Sequence, residues 1–262
     1  MKIPFRVDRP LKMQDVYVPL KVKGRRDAEL IDALDAVGKY RRLMVLGQPG
    51  AGKSMLLKFL TLSYAENRLL NLTERPVAIL LELYRVDVDA DILVLLVKAL
   101  EREDFPRATK FVEQGLEKGT VMLLLDELDE VGNAARSTIV QKLKDFLDRY
   151  EKCRVILTCR SQVYYNEFSE FDQTLEVVEF TDQQMRRFLA AWAMPPEKSI
   201  DQLMLTLQDR PRILELARNP LLLTIIAYLY CDTPFVLPHS RAEFYQKAID
   251  ILLETWDQRM SC

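Results

Sequence analysis

One octapeptide restricts this chain more than any other feature. Gly47-Gln-Pro-Gly-Ala-Gly-Lys53-Ser54 follows the apolar run Leu43-Met-Val-Leu46 and opens the amphipathic segment Met55-Leu-Leu-Lys-Phe-Leu60. It matches G-x-x-x-x-G-K-[ST] at every fixed position, in the strand–loop–helix setting that a phosphate-binding loop requires. The spacing has a chemical reason. Glycines let the backbone curl so that successive N–H groups point at one anion, and the helix N-terminus adds the positive end of its dipole. Lys53 then reaches the β- and γ-phosphates as a point charge, and the Ser54 hydroxyl is placed to ligate Mg²⁺. A Gly-rich turn that merely caps a helix needs neither Lys53 nor Ser54. The expectation is a nucleoside tri- or diphosphate held by residues 47–55: Gly47, Gln48, Pro49, Gly50, Ala51, Gly52, Lys53, Ser54 and Met55.

The chain's 262 residues are 49% apolar with a net charge of −2, enough for a sizeable core and without the basic field that nucleic acid or an anionic membrane surface attracts. Residues 1–10 lack the apolar centre of a signal peptide. The longest mostly apolar run, Leu221–Tyr230, is about half of a membrane span and reads as a core helix. Cys153, Cys159, Cys231 and Cys262 show no C-x-x-C spacing and His239 is the only histidine. This speaks against a zinc site or a disulfide framework and for a reducing, cytoplasmic location. Asn71-Leu-Thr73 fits a glycosylation sequon, which has no meaning without secretion.

Short, continuous apolar runs at Arg42–Leu46, Val77–Glu82, Val121–Leu125 and Val155–Thr158, with a fifth at Leu175–Phe180, suit strands buried on both faces of a parallel sheet. Amphipathic stretches at Lys53–Glu66, Ala90–Arg102, Ala108–Glu117 and Ala134–Tyr150 lie between them, an alternation that predicts a doubly wound α/β fold. Leu93-Val-Leu-Leu-Val97 reads as core. From Thr181 the pattern becomes helical throughout: Thr181–Trp192 ended by Pro195-Pro196, Ser199–Gln208, Pro211–Ala217, Leu221–Tyr230 and Arg241–Gln258, with Trp192 and Trp256 as core. The expected layout is a P-loop α/β domain over residues 1–180, built on a mainly parallel five-stranded sheet with a lead-in of residues 1–40. An all-helical subdomain over 181–262 follows. The last helix is still apolar at Ile249, Leu252 and Trp256 near the end, which reads as a fragment of a longer protein.

Val121-Met-Leu-Leu-Leu125 delivers Asp126-Glu127-Leu128-Asp129-Glu130 about 70 residues after the phosphate loop. An apolar strand ending in a carboxylate is the Walker B arrangement, with Asp126 on Mg²⁺. Ligands of open α/β sheets sit at the strands' carboxyl ends, so Asp126 and the phosphate loop converge. Four carboxylates in five residues repel one another, so they do more than bind metal. Glu127 stands where many P-loop ATPases place a water-activating Glu, and Asp129 and Glu130 form a second acidic pair. The residues alone leave the choice open. Arg154-Val-Ile-Leu-Thr158-Cys-Arg160 is a further strand ending in an arginine, which is suited to grip a γ-phosphate bidentately and so to tell triphosphate from diphosphate. The chain has no N-K-x-D guanine-reading sequence, which favours adenine.

With these residues in place, the chain resembles the NACHT family of STAND P-loop NTPases, the nucleotide-switch module of NOD-like receptors and their bacterial counterparts. Tyr17-Val-Pro-Leu20, the Gly47–Ser54 loop, Leu123-Leu-Leu-Asp-Glu-Leu-Asp-Glu130, Thr158-Cys-Arg160 and Asn219-Pro-Leu-Leu-Leu-Thr224 follow in the family's order. The acidic pair Asp129 and Glu130 is the distinctive element.

The resemblance implies Mg²⁺ on Ser54 and Asp126, water activation involving Asp129 and Glu130, and γ-phosphate sensing by Arg160. It also implies adenine packed against Pro220, with the backbone near Val18 closing the pocket. Two features depart from the pattern. Glu127 stands where the family has a small residue, which leaves the catalytic carboxylate open. His239 lies too early to be the family's winged-helix histidine, so that domain is expected to be truncated or absent, like the sensor and effector domains. The implied function is an ATP/ADP switch with slow hydrolysis and nucleotide-dependent self-association through the NTPase domain, in innate immune or antiphage signalling. The alternatives are a working remodelling or loading ATPase with Glu127 as its base, and a nucleotide-binding scaffold.

Overall fold

The computed structural model describes residues 12–24, 29–69, 75–192, 194–232, 238 and 240–260. Residues 1–10 and 71–73, His239, Cys262 and the side chains of Leu252 and Trp256 lie outside the described residues. The chain divides into two compact units, one spanning Pro19–Val178 and the other Met1–Val18 with Glu179–Cys262. The short helix α1 (Met13–Val16) belongs to the second.

In the first unit the order is β1 (Lys21–Gly24), β2 (Leu30–Asp32), α2 (Ala33–Lys39), β3 (Arg42–Gly47), α3 (Lys53–Ala65), β4 (Val77–Glu82), α4 (Ile92–Glu101) and α5 (Thr109–Lys118). Then come β5 (Val121–Asp126), α6 (Asn133–Arg149), β6 (Arg154–Arg160) and β7 (Gln173–Val177). The sheet has seven strands in the order β2-β1-β7-β3-β6-β5-β4. The five expected strands are all present and mutually parallel. The expected count of five is corrected by β1 and β2, which add an antiparallel edge beside β7. They fall in the lead-in, where three or four residues with partial burial carry no readable period. The fifth strand ends at Val177 and does not reach Phe180.

The central strands are continuous apolar runs because both of their faces are covered. Alternate residues point to opposite faces. Met44, Leu46, Ile79, Leu81, Leu123, Leu125, Val155 and Leu157 share one core with Leu96 of α4, Val112 and Leu116 of α5, and Ile139 and Leu143 of α6. The other register, Leu43, Val45, Met122, Leu124 and Ile156, is buried too, and α3 packs on β3, β4 and β5. Within Leu93–Val97, Leu95, Leu96 and Val97 are buried and Val94 is exposed. Helix α4 starts at Ile92 instead of Ala90 because the Asp91 carboxylate caps it, accepting the Leu93 amide at 2.7 Å. This satisfies one of the donors that a helix start leaves unpaired.

The second unit is helical. Its elements are α7 (Asp182–Ala190), α8 (Ile200–Gln208), α9 (Pro211–Ala217), α10 (Pro220–Asp232) and α11 (Arg241–Met260). Thr181 and Gln184 form a reciprocal capping box at the start of α7, and Ser199 caps α8. Asn219 accepts the Leu221 and Leu222 amides at 3.0 and 3.3 Å, with Pro220 in the first helical position, where its missing N–H costs nothing. Trp192, Leu203, Leu207, Ile213, Leu223, Ile226 and Phe244 make the core. Among the described residues no single helix is long and apolar enough to cross a membrane, and α9 and α10 meet at 117°.

Candidate functional site

Parallel pairing aligns the strand ends that carry polar residues. Gly47 at the end of β3 stands opposite Arg160 of β6, and Glu82 of β4 stands opposite Asp126 of β5. The phosphate loop turns from β3 into α3 with Gly50 at φ 75° and Gly52 at φ 95°, left-handed values that a Cβ disfavours. Gly47 has a different reason to lack a side chain. A Cβ there would meet Val177 at 3.2 Å and Ala51 at 3.3 Å, so the loop lies tight against β7.

Lys53 is 8% exposed, and its ammonium donates to the Gly47 and Gln48 carbonyls at 2.9 and 3.3 Å. Burial lowers its pKa from the usual lysine value, opposed by the charge of Asp129 and, more weakly, of Asp126. Such a desolvated cation gains when an anion enters the loop. Gln48, Pro49, Gly50 and Ala51 form the turn itself. Met55 continues α3 half-buried behind it, and the Gln162 amide donates to Gln48 Oε1 at 3.0 Å.

The carboxylates separate into distinct environments. Asp126 is 1% exposed and accepts the Thr158 hydroxyl at 2.5 Å. Glu127, at φ 63°, donates its amide to the same hydroxyl oxygen at 3.0 Å and accepts the Ser54 hydroxyl at 3.4 Å. Burial first, then the charges of Asp126 and Glu130, raise the Glu127 pKa above the usual carboxylate value. Asp129 is committed elsewhere. Its Oδ1 accepts the Arg160 amide at 2.9 Å and its Oδ2 pairs with Arg160 Nε at 2.8 Å. Glu130 completes the grip, accepting Arg160 Nη2 at 3.0 Å. The arginine expected to face a phosphate is thus held by the acidic pair.

Ser54, Asp126 and Glu127 offer hard oxygens at one point of the sheet edge. Among the described residues no group of three or more His, Cys, Asp or Glu side chains is arranged to hold a metal unaided. That donor set fits Mg²⁺, which binds through one or two carboxylates together with substrate phosphates. Val18, buried, and Pro220, half-buried at the start of α10, belong to the helical unit.

Sequence reasoning missed Arg136. This α6 residue is almost buried and bonds the Glu167 carboxylate at 2.7 Å, the Val163 carbonyl at 2.9 Å and the Leu128 carbonyl at 3.4 Å. Arg136, Val163 and Glu167 match no motif, and Leu128 takes part only through its backbone carbonyl. The one legible signal was an arginine on the face of α6 that follows Leu128–Glu130.

The NACHT domain profile matches residues 41–194, more than half of the chain and the span that contains the phosphate loop, the acidic strand end and Arg160. The chain belongs to the NACHT family. This NACHT chain is therefore a P-loop NTPase domain that binds nucleotide. No protein of curated sequence matches it significantly. Among solved structures it is similar to Caenorhabditis elegans PCH-2, with 16% identity over 88% of this chain and 67% of that one and a TM-score of 0.42. It is also similar to the Thermotoga maritima RuvB Holliday junction branch migration motor, with 14% identity, 86% and 65% coverage and a TM-score of 0.41. The NACHT chain spans about two thirds of the length of both.

Proposed function

We infer that this NACHT domain is an ATP/ADP switch, and one observation carries the reading. The Arg160 guanidinium and amide are bound by Asp129 and Glu130, so to grip a γ-phosphate the arginine exchanges one charge-assisted arrangement for another. Two such arrangements of comparable strength define two states, and ATP differs from ADP by its contact with one of them. Adenine nucleotide sits on the Gly47–Met55 loop. Mg²⁺ held by Ser54 and Asp126 would neutralise charge on the β- and γ-phosphates. Glu127, whose raised proton affinity suits a base, orients and deprotonates the attacking water, because Asp129 has both oxygens engaged. Hydrolysis is slow and resets the switch. ATP-bound copies self-associate through the NTPase domain, and the setting that suits this is innate immune or antiphage signalling.

The measurement is turnover together with retained nucleotide. Co-purified ADP and very slow hydrolysis by the purified chain support the switch. Steady hydrolysis above about 1 s⁻¹, an ordinary enzyme rate, sinks it. That outcome would favour the second reading, a working remodelling or loading ATPase, for which the position of Glu127 beside Asp126 and Ser54 is the favouring observation.

A further inference from the structure

The acidic residues that hold Arg160 sit on a single 3-10 turn, Leu128–Glu130, and that turn has few restraints of its own. It begins at Glu127 in the left-handed region, which is unfavourable for a residue with a side chain, and Val131 leads from it to Gly132. One backbone bond closes it, Glu130 N–H to the Glu127 carbonyl at 3.0 Å. The Leu128 side chain is fully buried beneath it. The loop that follows β6 is a separate segment, and a single side chain on α6 reaches both. Arg136 donates through Nη1 to the Leu128 carbonyl at 3.4 Å and through Nη2 to the Val163 carbonyl at 2.9 Å. Through Nε and Nη2 it also donates to Glu167 Oε1 at 2.9 and 2.7 Å. The same Nη2 lies 3.7 Å from Cys159 Sγ, one residue before Arg160. The pair is shielded, with side-chain exposures of 13% for Arg136 and 17% for Glu167, so solvent screens it weakly.

We propose that Arg136 is a positioning residue of the nucleotide site, tying the turn that carries Asp129 and Glu130 to the loop after β6 and thereby setting how firmly Arg160 is held. Only a planar fork spans these partners at once. A lysine supplies the charge for Glu167 and cannot also reach both carbonyls. Loosening the turn frees Arg160 and favours the triphosphate over the diphosphate. The inference rests on reading Arg160 as the residue that distinguishes the two nucleotides, and each is tested separately.

The test is the ratio of ATP to ADP affinity in Mg²⁺, measured with fluorescent ATP and ADP derivatives on the full chain. The parent is compared with R136M, R136K and R160A. R136M and R136K should both raise the ratio about tenfold, the equivalent of one hydrogen bond to a charged group, with total binding capacity retained. A purely structural role would lower both affinities together and leave the ratio alone, and R136K would restore it. If R136M does not fold, R136K decides. A parent-like ratio in R136K, or in both variants, overturns the inference whatever R160A does. An unchanged ratio in R160A overturns the Arg160 reading instead. A changed ratio in R136K alongside that result keeps Arg136 as a positioning residue acting through another group of the turn.

Discussion

The Thr158 hydroxyl donates to Asp126 Oδ1 at 2.5 Å and at the same time accepts the Glu127 amide at 3.0 Å. One buried hydroxyl on β6 therefore orients the carboxylate at the end of β5 and the backbone of the next residue. Replacing Thr158 by valine keeps the shape and removes both bonds, leaving a buried carboxylate without its donor. T158V should lose about 2–3 kcal/mol of stability in urea denaturation. T158S should recover most of it. A valine variant within about 0.5 kcal/mol of the parent would show that the hydroxyl does not hold the strand ends.

Glu127 gives the chain a pH signature. Its pKa is raised above the usual 4.5 by burial and by Asp126 and Glu130, so the folded protein retains this proton to higher pH than the unfolded chain. Below 4.5 both states are protonated and the group contributes nothing. As pH rises through the unfolded value and then the folded one, stability falls, because the folded state binds more protons. E127Q should thus be more stable than the parent at neutral pH, with the gain shrinking to nothing below about pH 4.5. Thermal unfolding of both proteins from pH 4 to 8 measures it, and a gain that does not change with pH contradicts the assigned cause.

Lys53 should be indispensable for the ligand and dispensable for the fold. In the parent, ATP at 100 times its Kd stabilises the folded chain by about 2.7 kcal/mol. K53A should abolish that increment while the chain still folds without nucleotide, with a melting temperature lowered only by the loss of the bonds to the buried Gly47 and the part-buried Gln48 carbonyls. Undiminished stabilisation by ATP would remove the phosphate loop from the binding site.

Gly52 tests backbone conformation alone. A Cβ there would approach Leu20 at 3.4 Å, an ordinary contact, while φ is 95°. G52A should therefore cost about 1–2 kcal/mol through strain and weaken nucleotide binding by shifting the amide of Lys53. Calorimetry of the variant with and without ATP reads both effects, and parent-like stability would mean that the loop relaxes freely.

The parallel strands were legible because burial on both faces leaves unbroken runs such as Val121–Leu125, and the phosphate loop because its glycines and Lys53 have no other economical purpose. Strands β1 and β2 were illegible for the opposite reason: Leu30–Asp32 has no buried residue to set a period. The position of Arg160 at the end of β6 could be read from its strand, but its capture by Asp129 and Glu130 could not. That pairing joins residues 30 or 31 positions apart through side-chain geometry. Arg136 and Glu167 are also 31 apart and belong to no motif. The start of α4 was misjudged by two residues because Asp91 reads as part of an acidic loop until its cap is seen.

Cys159 lies between Thr158 and Arg160, fully buried, with burial raising its thiol pKa above the usual value. A thiol so placed is protonated and out of reach of any reagent in the closed fold. Alkylation of Cys159 therefore requires the packing around the end of β6, including the Arg136 contact at 3.7 Å, to open. Timed labelling read by peptide mapping thus reports how often the protein opens around the residue that adjoins Arg160.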